Sequence, residues 1–348
     1  MSVIVHGGTI DAQKIVAVPT PKDGQFLEAL ARHIPPRLVR QVLERTGRNG
    51  SRQRRLPASS VVWLVIAIGL WGDRDIPALW RQVAGTLHDL LQAAGFGQRP
   101  PGKSALSKAR SRLGARPLRQ LFLAVSRPLA RHTTRGAFYR GLRLMIIDGQ
   151  KLLLPDTPAN RKAFGKHTTR RSGRLVPAGY PQVHLMRLLE AGTHLAVELL
   201  VKPCKKHEYP DEITTHQINR PVELRSGTPV NIVQEIYGIF LAHNAIRALM
   251  HEAALRVDMD PRTLSFIHAV RVIKDAIPLL RAAPDNQLPR LYRGLLIQIS
   301  RGILPPRDGR ITPRVVKIKM SNYKKKRPEH LAPPQPSVPF QDDIVILK

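Results

Sequence analysis

The run "VVWLVIAIGLW" at residues 61–71 constrains this chain more than any other stretch. A helix built from it is apolar on every side and has no face to offer water. A membrane-spanning helix needs ~20 such residues, and this run is too short, so it reads as a buried helix that Ser59 or Ser60 can cap. Neighbours to bury it are at hand. In "FLEALARHIPPRLVRQVLERTG", Leu38, Val39, Val42 and Leu43 fall at helical spacing and Gly47 supplies a stop. Asp75 followed by Pro77 starts a further helix, because proline loses nothing at the first helical position. Residues 26–135 therefore read as a helical domain, preceded by a flexible lead-in over residues 1–25.

Charge says what surrounds this core. Lysine and arginine number 56 against 25 acidic residues, a formal net charge of +31 over 348 residues, while 43% of the chain is hydrophobic. Such a chain is globular and repels itself unless a polyanion neutralises it, so nucleic acid is the natural partner. The basic residues cluster at Arg37 to Arg55, Lys103 to Arg119, Arg161 to Arg174 and Arg310 to Arg327, which suits phosphate tracked over a long path. The lone Cys204 excludes an internal disulfide framework and a cysteine-rich zinc module. Together with the lack of a signal-peptide pattern, that fits a reducing cytoplasm.

The sharpest DNA-binding candidate is "KSALSKARSRLG". Ser104 can cap a helix here and Gly114 can end it. Ser107, Lys108, Arg110, Ser111 and Arg112 offer donors, while Ala105, Leu106, Ala109 and Leu113 can pack inward. A short basic helix after another helix is how a helix-turn-helix presents side chains to the major groove. A solvated basic face is the bland alternative.

Near residue 141 the character changes. "LRLMIIDG" and "QKLLLPD", punctuated by Gly149, read as two strands of a hairpin. After the basic loop "RKAFGKHTTRRSGRL", the runs "YPQVHLMRLLEAG" and "THLAVELLVKP" give two more strands around a turn at Ala191 and Gly192. From Thr228, with Pro229 just inside, a long core helix runs through "NIVQEIYGIFLAHNAIRALMHEAALR". Two further helical stretches and a basic, then proline-rich, end follow over 259–348. The fold class is α+β.

Enzyme signatures are sparse. "HEAAL" lacks the second histidine of the zinc-protease motif, and His243 and His251 read as structural. Asp148, where an apolar run meets Gly149, is either a ligand for Mg²⁺ or an Asp-Gly turn residue. A two-metal phosphoryl-transfer site needs several carboxylates, and one aspartate cannot supply it alone.

These blocks resemble the DDE transposases of bacterial insertion sequences, specifically the insertion-sequence-four group. "IDGQKLLLPDTPANRKAFG" is similar to that family's first-aspartate block, and "YPQVHLMRLLEAGTHLAVELLV" to the strands after it. "LPASSVVWLVIAIGLW" and "SALSKARSRLGARPL" resemble its helical N-terminal domain, and "NRPVELRSGTPVNIVQEIYGIFLAHNAIRALMHEAA" its C-terminal helices. The resemblance implies a ribonuclease-H-like core at 138–258, with Asp148 as first acidic residue and Mg²⁺ ligand. It also implies double-stranded DNA bearing terminal inverted repeats as partner, strand cleavage and transfer as the activity, and a bacterial, nucleoid-associated protein.

The chain departs from that pattern in two places. The family's Asp-Arg-Gly motif does not occur downstream of Asp148, and "GDRDIP" at 72 precedes it. In "CKKHEYPDEITTHQINRP", His207 falls where the third acidic residue would be, leaving Glu208, one residue out of register, or Glu212 further along. The expectation is an internally deleted transposase, joined near 204–209, whose core is truncated. Such a chain would bind DNA without cutting it, either as a remnant or inhibitor at element ends, as a homodimer, or as a heterodimer with an intact transposase.

Overall fold

The computed structural model describes residues 3–6, 30, 32–49, 56–72, 74–84, 101–171, 174–204 and 224–305. Residues 1–304 form one compact unit and residues 305–348 a second.

The first unit begins with a strand, β1 (Val3–His6), which pairs antiparallel with residues Arg143–Ile146. A lead-in without structure was expected here; the strand's partner lies far along the chain and leaves no local signal. Among the described residues, five helices follow: α1 (Pro36–Arg45), α2 (Ala58–Leu70), α3 (Ile76–Ala84), α4 (Lys103–Leu113) and α5 (Arg116–Val125). Pro36 opens α1, and beyond it Gly47 takes the left-handed φ of 66° that glycine adopts without strain. The Asp75 carboxylate caps α3, accepting the Ala78 N–H at 2.7 Å. The expected serine caps do not form. α2 starts directly after an extended Pro57, so Ser59 and Ser60 lie inside it, and α4 starts after Gly102 with Ser104 already in its first turn.

α2 is buried around almost its whole circumference, as its composition requires. Its main partner is α7 (Pro229–Arg256), a 28-residue helix with Thr228 at its N-cap and Pro229 in its first turn. α7 is more deeply buried than an amphipathic helix: Gln234, Glu235, His243, Asn244, Arg247 and His251 are all buried along it. A short 3₁₀ turn (Pro261–Thr263) leads to α8 (Phe266–Ala282) and α9 (Leu288–Ser300), which pack against α7 and each other. The N-terminal helices, the strands and these C-terminal helices share one hydrophobic core.

The strands are β2 (Phe138–Tyr139), β3 (Leu142–Leu153), β4 (Lys166–Arg171), β5 (Arg174–Glu190) and β6 (Ala196–Pro203), with a short α6 (Pro158–Phe164) between β3 and β4. Every pairing is antiparallel. The order runs β1-β3-β5, and the far edge of β5 is shared between β4 along its first half and β6 along its second. Two expectations change. β3 is one 12-residue strand running straight through Gly149, not a hairpin, because Met145 to Leu153 pair without interruption against Glu190 to Gln182. That ladder overrides the local Asp-Gly turn preference. The basic stretch after α6 is likewise not a loop: it forms a hairpin with the first half of β5. The turn at Ala191 and Gly192 is present, with His194 in it at a φ of 57°.

Candidate active site

Asp148 lies on β3 directly opposite Arg187 on β5. β5 alternates strictly here: Val183, Leu185, Arg187 and Leu189 are buried, and their neighbours Gln182, His184, Met186 and Leu188 are less so. On β3, Asp148 shares the inward face with Leu152, and with Leu154 just beyond the strand, which are also buried. The pleat therefore sends acid and base into the same interior. The Arg187 Nη2 donates to Asp148 Oδ2, with both side chains below one-tenth exposure. The guanidinium stands over the ring of Phe240 on α7, 5.7 Å from its centroid. Burial pulls the Arg187 pKa down to about 10, which leaves it cationic at neutral pH. Asp148 Oδ1 and Arg187 Nε are buried without a hydrogen-bond partner among the described residues.

Glu190, at the end of β5, is fully buried and heavily engaged. It accepts the Leu129 and Ala130 N–H groups at 3.0 Å each and the Thr193 hydroxyl at 2.6 Å, and it pairs with Arg143. Four donors make it a structural hub that ties the α5–β2 connection to the sheet. Glu208 and Glu212 lie outside the described residues.

The basic helix α4 divides cleanly. Ser107, Lys108, Ser111 and Arg112 are exposed along one side, while Leu106, Ala109 and Leu113 are buried on the other. Arg110 does not belong with the exposed donors. It is 2% exposed, and its guanidinium donates to Glu235 at 3.3 Å, to the Asn231 carbonyl at 3.0 Å and to Gln234 at 3.3 Å. Gln234 returns the contact, its amide donating to the carbonyls of Arg110 at 2.7 Å and Gly114 at 2.8 Å, so a side chain of α7 caps the end of α4. The spacing carried this signal: Leu106, Ala109, Arg110 and Leu113 are one stripe at i, i+3, i+4 and i+7. Ala105, expected inside, is exposed.

The histidines of α7 are buried among protein partners. His243 Nε2 donates to the His194 carbonyl at 3.2 Å, and burial drives its pKa down to about 3. His251 meets the Thr134 hydroxyl at 3.1 Å.

Residues 25–123, which include α1 to α4, match the family model described as insertion element 4 transposase, N-terminal. Two relatives from Escherichia coli strain K12 are named as transposases, one of them as putative. The chain is 34% identical over 170 residues to the transposase InsG of insertion sequence element IS4, covering 49% of this chain and 36% of InsG. It is 22% identical over 306 residues to the putative transposase InsZ, covering 88% of this chain and 92% of InsZ. The chain is thus similar to the insertion element 4 transposases. It spans about a third of the length of InsG and nearly the whole of InsZ. No solved structure matches it.

The divalent cation associated with this family can be tested against the residues present. A magnesium-type ion takes oxygen ligands and keeps waters for a phosphate group, and a two-metal site gathers several carboxylates around ions ~3.5–4 Å apart. Among the described residues, no group of three or more His, Cys, Asp or Glu could hold a metal ion. More tellingly, the nearest charge to Asp148 is the guanidinium of Arg187. Two unit charges of like sign 4 Å apart repel by about 4 kcal/mol at an effective dielectric of 20, and a dication roughly doubles that. These residues do not fit the ion. Sequence reading missed Arg187 because it lies 39 residues from Asp148 and only the strand register brings the two together.

Proposed function

We propose that this chain acts in insertion-sequence transposition as a DNA-binding protein of element ends, with double-stranded DNA carrying terminal inverted repeats as its partner. The observation that carries this reading is the exposed basic side of α4, bearing Ser107, Lys108 and Arg112, within the segment that matches the family's N-terminal model. The helix offers hydrogen-bond donors to phosphate and base edges on one side, and Gln234 and Glu235 anchor it to the core on the other. The net charge of +31 supplies the sequence-independent part of the affinity.

In this reading the segment β3-β5-β6 is what remains of a ribonuclease-H-like core, and the junction of the shortened chain follows β6, near residues 204–209. Strand cleavage and transfer, the activity of the complete family pattern, is the second reading. It would need Asp148 with Glu208 or Glu212 around Mg²⁺, and the Arg187 pairing favours the first. Action at two ends suits a homodimer, or a heterodimer with an intact transposase.

The deciding experiment is fluorescence anisotropy with the full chain, comparing a duplex carrying the inverted repeat that flanks the gene with a scrambled duplex of equal length. Tighter binding to the repeat, lost on Lys108→Ala with Arg112→Ala, supports the reading. Equal affinity for both duplexes, unchanged by those substitutions, refutes it. Mg²⁺-dependent nicking abolished by Asp148→Ala would establish the second reading instead.

A further inference from the structure

We infer that Arg187 takes the place of a cation at Asp148, so that this chain holds no divalent ion there and Asp148 serves as the acid of a structural ion pair. Three observations converge on this.

The first is placement. Arg187 occupies an inward position of β5 between Leu185 and Leu189, where the alternation of the strand calls for an apolar side chain. β5 is hydrogen-bonded to β3 on one side and β6 on the other at this point, so the backbone cannot rotate to turn the arginine outward without breaking both ladders. The second is mutual dependence. A buried guanidinium without a counter-charge and a buried carboxylate without a donor are each unfavourable, and here each supplies what the other lacks. The third is the surroundings. The face of Phe240 lies beneath the guanidinium, an environment suited to a flat, weakly hydrated cation and not to an ion that keeps its water. Glu190, the buried carboxylate at the end of β5, is saturated by Arg143, Thr193 and two backbone amides and adds nothing to Asp148.

This deepens the non-cutting reading of the site and is independent of whether α4 binds DNA. A chain that bound inverted-repeat DNA and also took up metal at Asp148 would overturn it and leave DNA binding standing.

Two measurements on the full chain test it. Bound Mn²⁺, read by electron paramagnetic resonance across micromolar to millimolar metal, is expected to be equal in the natural chain and in Asp148→Asn/Arg187→Gln, which keeps similar side chains without the charges. A stoichiometric site present in the natural chain and missing from the double variant overturns the inference. In thermal unfolding, Asp148→Asn and Arg187→Gln alone are each expected to lower the midpoint, and the double variant to recover more than half of the larger loss. Losses that simply add, or single variants as stable as the natural chain, overturn it as well. Should a single variant fail to fold, the Mn²⁺ comparison with the double variant still decides.

Discussion

Gly69 of α2 and Gly238 of α7 bring two helix backbones into direct contact. A Cβ built on Gly69 would lie 2.5 Å from the Gly238 carbonyl oxygen, and one on Gly238 would overlap the Val65 carbonyl. Neither neighbour is a flexible side-chain end that could swing away. Gly238→Ala is therefore expected to force the helices apart and destabilise the chain by about 3 kcal/mol, despite alanine's better helix propensity. Urea unfolding followed by circular dichroism measures this, and a variant as stable as the natural chain would contradict the contact.

Arg110 and its neighbours on α4 should separate by kind of effect. Removing one partner of a buried ion pair costs ~3–5 kcal/mol, so Arg110→Ala is expected to lower stability by about 3 kcal/mol. Lys108→Ala and Arg112→Ala, both exposed, should stay within about 0.5 kcal/mol of the natural chain. Thermal melts of the three variants side by side give the comparison.

For DNA the order reverses. If Lys108 and Arg112 each neutralise one phosphate, the Lys108→Ala/Arg112→Ala variant should bind more weakly and show a log–log salt slope shallower by about two. Anisotropy titrations at several salt concentrations would reveal it, and an unchanged slope would place the phosphate contacts elsewhere.

Stability should fall on mild acidification. Burial holds His243 at about 3 and His33 and His194 at about 4, all below their ordinary 6.5. Between those values the unfolded chain binds protons that the folded chain refuses, so stability is complete above about pH 6.5 and declines as pH drops toward 4. The slope is about 1.4 kcal/mol per pH unit for each histidine in full effect. His243→Gln should flatten that slope between pH 6.5 and 5, measured by unfolding at a series of pH values.

What could be read from the sequence was whatever one element states about itself. The all-apolar run at 61–71 announced a buried helix, Asp75 and Thr228-Pro229 marked helix starts, and Gly47 and Gly114 marked ends, because these signals act within a few residues. What escaped were consequences of pairing. Gly149 looked like a turn until a strand opposite held it extended, Val3–His6 looked unstructured because its partner comes much later, and Arg110 was read by its charge and not by its place on an apolar stripe. Asp148 shows the same division: its sequence neighbourhood left it between a metal ligand and a turn residue, and only the strand register supplies its partner.

The joining of α2 to α7 also sets an order on synthesis. The ribosome delivers α2 with its apolar surface open, and the helix that covers it, through Gly238, arrives only after the whole sheet has been made. Until then the nascent chain carries an apolar helix covered only by its N-terminal neighbours. A messenger truncated anywhere before α7 would release a product with one side of that helix open, one suited to aggregation or to a chaperone's grip, so the long helix closes the core that the N-terminal helices begin.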